Sequence, residues 1–241
     1  MNQENQILTN ERLLRGSNTP VKPIPWTHSH LEAVASCPRQ FHEVKVLKNY
    51  QDVKGDAALW GDRVHEALEE YLNGTKDLPV ELEMYRGYAD AIKRVPGTLH
   101  VELKLAIDTQ LNPCEFFNGA NMFSRGVCDV FIDQDWKGKA IDHKTGKRKK
   151  GSRQMRIMAL LLFLHFPKVQ EIDVMFAWLK TNERDTETIK RDDIPAIWLE
   201  LMPELRIFKE RFDLDVWPAR KSGLCKQYCA VTSCEHNGRN R

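Results

Sequence analysis

The stretch from Ala140 to Gly146 places an acid and a lysine at the end of an apolar segment. It reads Ala-Ile-Asp-His-Lys-Thr-Gly, so two apolar residues lead into Asp142 and Lys144, and a turn follows. Side chains on a strand alternate, which puts Asp142 and Lys144 on one face and His143 on the other. A hard divalent cation prefers the carboxylate. Because such triplets also occur as plain surface ion pairs, the flanking segments must decide between the two interpretations.

Three consecutive segments are predicted strands: Leu99 to Ile107, Ser124 to Ile132 and Gly138 to Lys144. The first alternates, so Val101 and Leu103 are expected on the face opposite Glu102. The second carries Asp129 among apolar residues. A carboxylate in a buried strand needs a partner, and a metal ion is one.

Segments with helical periodicity precede and follow these strands in the sequence. Ser29 is a predicted N-cap, with Glu32 three residues later, for a helix that ends before Pro38. Further predicted elements are helices at Leu59–Leu72, Val80–Arg94 and Arg153–Phe166, a strand at Glu171–Lys180, and a helix at Asp192–Phe212 containing or bent at Pro195 and Pro203.

The domain organisation is expected to be simple. Residues 1–25 are interpreted as a flexible segment, since 16–25 are rich in proline and polar residues. Residues 26–241 are expected to form one domain, of which 217–241 differ in composition. No stretch has the apolar length of a membrane span and the start does not resemble a signal peptide, so a cytoplasmic location is expected.

Charge and cysteine content supply two further candidate sites. The net charge of +2 indicates no partner, but Lys144 to Arg156 is basic and contains no acid. Of the six cysteines, three lie within ten residues at 225, 229 and 234, which favours a metal or iron–sulfur site over packing. Cys37 stands at a predicted helix end, where a ligand is easily presented, although alone it would be interpreted as a core thiol. Cys114 and Cys128 are interpreted as core residues.

The ordered motifs resemble the RecB-like branch of the PD-(D/E)XK nuclease superfamily. They are residues 60–65 (Trp-Gly-Asp-Arg-Val-His), 125–129 (Arg-Gly-Val-Cys-Asp), 141–146 (Ile-Asp-His-Lys-Thr-Gly) and Gln154. Ser29-x-Leu31 and Cys37-Pro38-x-x-Phe41, with the three C-terminal cysteines, are similar to iron–sulfur CRISPR adaptation nucleases and AddB-type nuclease domains. The resemblance implies a phage-type stand-alone exonuclease. Met158 departs from the pattern, which often has tyrosine four residues after the glutamine.

This resemblance implies a mixed α/β fold: a central mixed sheet flanked by helices, with N- and C-terminal helical segments joined by the cysteine cluster. It implies Mg²⁺ or Mn²⁺ held by Asp129, Asp142, His65 and the His143 carbonyl, with His65 favouring Mn²⁺. Lys144 would act on the attacking water and Gln154 on substrate or ligand, while Glu102 would be a water-mediated ligand or a partner of Lys144. The cluster would be 4Fe-4S on Cys37, Cys225, Cys229 and Cys234. Their spacing departs from the relatives, so a zinc site with His236 stays open. DNA backbone would contact Lys147, Arg148, Lys149, Lys150 and Arg153.

Three functions are compatible with the chain. The first is a metal-dependent DNA exonuclease acting on single strands or duplex ends, in replication, recombination, repair or CRISPR-type adaptation, with a protein partner in recombination or adaptation. The second is a catalytically silent DNA-binding or recombination partner that keeps the scaffold. The third is a zinc- or redox-responsive regulator. The intact Asp129, Asp142 and Lys144 favour the first.

Overall fold

Five strands form one mixed sheet in the order in which they occur along the chain. β1 (Thr98–Asp108), β2 (Met122–Gln134) and β3 (Lys137–Lys144) are antiparallel neighbours. β4 (Glu171–Trp178) runs parallel to β3, and β5 (Glu183–Lys190) returns antiparallel to β4. A parallel pair needs a crossover, which here is the helix α5 (Arg153–His165).

The computed structural model describes residues 23–52, 54–117, 119, 121–148, 151 and 153–240. Most of the segment expected to be flexible, residues 1–25, therefore lies outside the described residues. The other helices are α1 (His28–Ser36), α2 (Pro38–Phe41), α3 (Asp56–Leu72), α4 (Arg86–Lys93) and α6 (Ile194–Leu214). A π-helical turn covers His42–Val46, and 3-10 turns cover Val80–Tyr85, Arg191–Asp193, Gly223–Lys226 and Gly238–Asn240.

The sheet is covered by helices on both faces, which confirms the predicted fold class. One apolar core lies between the sheet and α1, α5 and α6, and its centre is the almost uniformly apolar α5. Gly126 on β2 permits this packing, because a Cβ there would stand 3.1 Å from a methyl of Leu161. A second core lies on the other face, under α3 and α4, and includes Val64, Leu68 and Ile92.

The predicted alternation of β1 was wrong. Val101 packs in the core under α3 and α4, whereas Leu103 and Leu105 pack in the core under α5. The residue between them, Glu102, has a left-handed φ of 49°. This conformation is uncommon for a residue other than glycine. It reverses which face of the strand the following side chains occupy.

Several local predictions also need correction. The edge strand β5 was missed, because its sequence Glu-Arg-Asp-Thr-Glu-Thr-Ile-Lys has one buried apolar residue, Ile189. Thr27, not Ser29, caps α1 by accepting a hydrogen bond from the His30 N–H. The expected helix at 80–94 is a 3-10 turn followed by α4. The helix predicted to begin at Leu59 begins at Asp56, and Leu59 is 53% exposed.

The two ends of the domain meet. Arg39 on α2 forms an ion pair with Glu235 at 2.7 Å and donates to the Ser233 carbonyl. Its own N–H donates to the Pro218 carbonyl. No helix among the described residues is both long and apolar enough to cross a membrane.

Candidate active site

Asp142, Lys144 and Gln154 form one polar cluster where β3 ends and α5 begins. The Lys144 ammonium lies 2.6 Å from Asp142 Oδ2 and donates to Gln154 Oε1 at 2.9 Å. The Gln154 amide in turn donates to Asp142 Oδ1 at 2.6 Å. Gln154, in the first turn of α5, thus fixes the positions of Asp142 and Lys144 relative to each other. The two side chains lie on the same face of β3, as strand alternation predicted.

Asp129, His65 and His143 form a second cluster on the opposite face of β3. Asp129 Oδ2 accepts the His143 backbone N–H at 2.7 Å. It lies 3.4 Å from His65 Nδ1 and 3.7 Å from His143 Nδ1. Their possible ligand atoms all lie within 4.8 Å of one another. Among the described residues, no other set of three or more histidine, cysteine, aspartate or glutamate side chains forms such a group. The group could hold a metal ion, and it includes the imidazole of His143, whereas the resemblance had implied the His143 carbonyl as a ligand.

Burial perturbs the ionisation of both acids, and the charge of Asp142 adds to the effect on Asp129. Burial, and then the charge of Asp142, raise the pKa of Asp129 to about 7, while the His143 N–H opposes the rise. Burial also raises the pKa of Asp142, against the attraction of Lys144. Two buried carboxylates within electrostatic range of each other, both with raised pKa values, are typical of a site that binds an added positive charge.

His143 is the most deeply buried polar group of the site. It is 3% exposed, and burial followed by the nearby His65 and Lys144 lowers its pKa to about 3. The imidazole is therefore neutral at neutral pH and able to donate a lone pair. Its Nε2 is buried without a hydrogen-bond partner among the described residues, and the same holds for the hydroxyl of Tyr88, whose ring packs edge-on at 5.6 Å.

Glu102 lines an open groove on the α3 side of this cluster, together with His65, Glu69 and Asp129. Burial, followed by the charges of Asp129 and Glu69, raises the pKa of Glu102 to about 7. The left-handed backbone conformation of Glu102 directs its side chain into this groove. Gly61 lies across the groove, where a Cβ would come within 3.0 Å of the Thr145 hydroxyl, so glycine allows α3 to approach the turn after β3.

A second groove of about 560 Å³ opens beside Lys144 and Gln154. Its wall includes Lys147, Arg153 and the N-terminal residues His28 and Glu32. His28 lies 3.7 Å from Glu32, and burial, opposed by that acid, lowers its pKa. His28 was not among the predicted site residues, and its sequence signal is limited to its position beside the start of the helix that carries Ser29-x-Leu31.

The expected DNA-binding residues have mixed environments. Lys147 lines the groove beside Lys144. Arg148 is paired with Asp185 and Glu183 of β5, and Arg153 with Glu204 of α6 at 2.6 Å. The sequence run contains no acid, but the missed strand β5 and α6 bring acids to it. Lys149 and Lys150 lie outside the described residues.

The four predicted cluster cysteines lie where the two ends of the domain meet. Cys37 Sγ accepts the Arg220 N–H at 3.4 Å, and Cys225 Sγ lies 4.0 Å from the Arg220 carbonyl oxygen. Cys234 is buried beside Val44 and Val231, and Cys229 packs on that small core. Cys37 and Cys225 thus lie on either side of Arg220, but among the described residues the four thiols do not form a group whose ligand atoms could hold one metal ion.

Comparison with known proteins gives a family and a fold. The family described as the PD-(D/E)XK nuclease superfamily matches residues 25–234. No curated protein matches the chain. A crystal structure from Eubacterium rectale described as "Putative exonuclease" is 12% identical with a TM-score of 0.53, covering 100% of this chain and 93% of that one. The crystal structure of SSO0001 is 15% identical with a TM-score of 0.46, covering 98% of both chains. At these identities the likeness concerns the fold alone.

Proposed function

The chain belongs to the PD-(D/E)XK nuclease superfamily, and on that premise we propose that it is a divalent-metal-dependent DNA exonuclease acting on single strands or duplex ends. One observation carries the proposal. Two buried acids of raised pKa flank the end of β3: Asp129 lies beside the neutral imidazole of His143, and Asp142 lies beside the ammonium of Lys144. An ion pair with a purely structural role would not require two buried acids of raised pKa.

The donor set fits Mg²⁺ or Mn²⁺. Carboxylate oxygens of Asp129 and Asp142 are ligands that both ions prefer, and the imidazole of His65 extends the set towards Mn²⁺. The raised pKa values of the two acids also favour a cation site, since a bound cation would stabilise their ionised forms, which burial destabilises. A bound ion would lower the pKa of a water and shield the phosphate charge.

Lys144 would orient the attacking water and stabilise charge at phosphorus. An ammonium has three donors, of which Asp142 and Gln154 take two in the described structure. The third can reach a phosphate oxygen or the water. Attack at phosphorus in line with the P–O3′ bond would break that bond and leave a 5′-phosphate and a 3′-hydroxyl.

The cysteines would act apart from the chemistry. We propose that Cys37, Cys225, Cys229 and Cys234 hold a 4Fe-4S cluster that joins the two ends of the domain. Zinc bound by the C-terminal cysteines and His236 is the other outcome. Iron with inorganic sulfide in anaerobically purified protein would support the cluster, and zinc alone would exclude it.

The activity is tested with end-labelled single- and double-stranded DNA and either Mg²⁺ or Mn²⁺. Lys144→Met and Asp142→Asn should each lower the rate by more than about a hundredfold. The matched control is Asp173→Asn, which removes an acid paired with Lys139 at 3.8 Å on the same sheet, away from the site. Release of labelled mononucleotides would establish exonuclease action and its polarity. If cluster-loaded protein binds DNA but cleaves none with either ion, the silent DNA-binding function replaces this one.

A further inference from the structure

The β1–β2 hairpin extends beyond the rest of the sheet. β2 pairs with β3 from Gln134 up to Val130, whereas it pairs with β1 as far as Met122. Residues 103–108 and 122–129 therefore form an arm that begins at the candidate active site and ends in the loop between β1 and β2, described at residues 109–117, 119 and 121. One face of the arm packs on α5 through Leu103, Leu105 and Gly126.

The other face of the arm is continuous with Asp129. Because Gly126 faces α5, strand alternation places Arg125, Val127 and Asp129 together on the opposite face. Lys104 lies opposite Val127 on β1, and its neighbours Leu103 and Leu105 point to the α5 core. Lys104 therefore shares the face of Arg125 and Asp129. This arrangement depends on the reversal at Glu102.

Two phenylalanines of the loop lie against these cations. Arg125 lies over the ring of Phe116, 5.3 Å from its centroid, and Lys104 over the ring of Phe117, at 5.4 Å. The two rings pack edge-to-face with centroids 5.0 Å apart. Phe117 remains 69% exposed. The face therefore presents a solvent-accessible aromatic ring between two positive charges.

Acids also lie near this face, and Glu102 is close enough to Lys104 for the two charges to interact. Asp108 accepts the N–H groups of Gln110 and Asn112 and is used to close the turn. Glu115 is exposed and contributes one negative charge beside two positive ones. Aromatic rings that stack on bases, interleaved with cations that follow the backbone, are the two components of single-strand binding sites.

We propose that this face, made of Lys104, Arg125, Phe116 and Phe117, holds single-stranded DNA next to the scissile phosphate. The inference rests on the proposed function and adds where the strand runs. Arg125 lies four residues along β2 from Asp129, which is about 13 Å. That distance corresponds to a few nucleotides. Phe117 would stack on an unpaired base, and the two cations would contact phosphates.

The test measures binding of a fluorescein-labelled oligothymidylate of about 20 nucleotides, longer than a single site of this kind. All proteins carry Asp142→Asn in Mg²⁺, so the probe survives whether or not the chain is a nuclease. Phe117→Ala should weaken binding by about 5- to 100-fold, and Phe117→Trp should restore it. Lys104→Ala should lower the slope of log affinity against log salt by about 0.7.

Trp136→Ala is the matched control. Trp136 is 54% exposed with Lys137 at 5.3 Å from its ring, but it lies in the turn between β2 and β3, at the opposite end of the sheet. Binding by Phe117→Ala within twofold of Trp136→Ala would overturn the inference, even for an active nuclease. Loss of binding in Phe117→Ala alone would support it, even if the nuclease assay fails. Arg125 is not the primary probe because it also donates to the Phe116 carbonyl.

Discussion

Replacing Asp129 with asparagine should stabilise the metal-free protein at pH above 7, although it removes a group on which the proposed chemistry depends. The Asp129 side chain is 14% exposed. Burial and the Asp142 charge raise its pKa to about 7, from an ordinary 3.8. Asparagine has no charge to bury, and its amide oxygen can still accept the His143 N–H that Asp129 accepts at 2.7 Å.

The direction of the pH dependence follows from these two pKa values. The folded protein retains the Asp129 proton up to about pH 7, whereas the unfolded chain releases it near pH 4. The wild type therefore has its full stability below about pH 4 and loses it as the pH rises through 7. A gap of about 3 pKa units corresponds to at most about 4 kcal/mol at pH 8. Because Asp142 and Glu102 interact electrostatically with Asp129, part of this effect is shared, and we expect a gain of about 2–4 kcal/mol, or on the order of 5–15 °C.

The measurement is urea unfolding in EDTA at pH 5 and pH 8, with Asp173→Asn as an exposed control. The advantage of Asp129→Asn over wild type should grow by about 2–3 kcal/mol between the two pH values. Mg²⁺ or Mn²⁺ should stabilise the wild type at pH 8 and reduce that advantage. An Asp129→Asn protein no more stable than wild type at pH 8 in EDTA would refute the argument that this acid resists ionisation in the folded state.

Three further changes test the hydrogen bonds of the site, the packing of α5 and the proposed cysteine cluster. Gln154→Leu removes the side chain that bridges Asp142 and Lys144, so the cleavage rate should fall about tenfold or more while DNA binding holds; an unchanged rate would show that the bridge is dispensable. Gly126→Ala puts a methyl 3.1 Å from Leu161 and 3.3 Å from Met158, and should cost about 1–3 kcal/mol in urea unfolding, with a neutral result meaning that α5 can shift. Cys37→Ala should lose iron and unfold at least about 5 °C lower than wild type; equal thermal stability would count against a structural cluster.

Sequence alone predicted the elements that carry strong periodicity. The apolar run of α5, the strands holding Asp129 and Asp142, and the alternation at Asp142 and Lys144 depend on local patterns, and the structure has them as predicted. β5 could not be recognised, because as an edge strand it buries little and its charged residues look like a loop. The reversal at Glu102 was equally invisible, since no residue type there demands a left-handed φ.

Sequence patterns predicted four of the five described strands and most of the covering helices, and they indicated the candidate acids and lysine, because those depend on hydrophobic period and on residue chemistry. Tertiary structure decided which groups meet. It placed His143 next to Asp129 and His65, and it paired Asp142 with Lys144 and Gln154. It paired Arg148 with acids from a distant strand and, through one backbone reversal at Glu102, put Lys104 on the face of Asp129. These outcomes depend on contacts between residues far apart in the chain, for which no local pattern carries information.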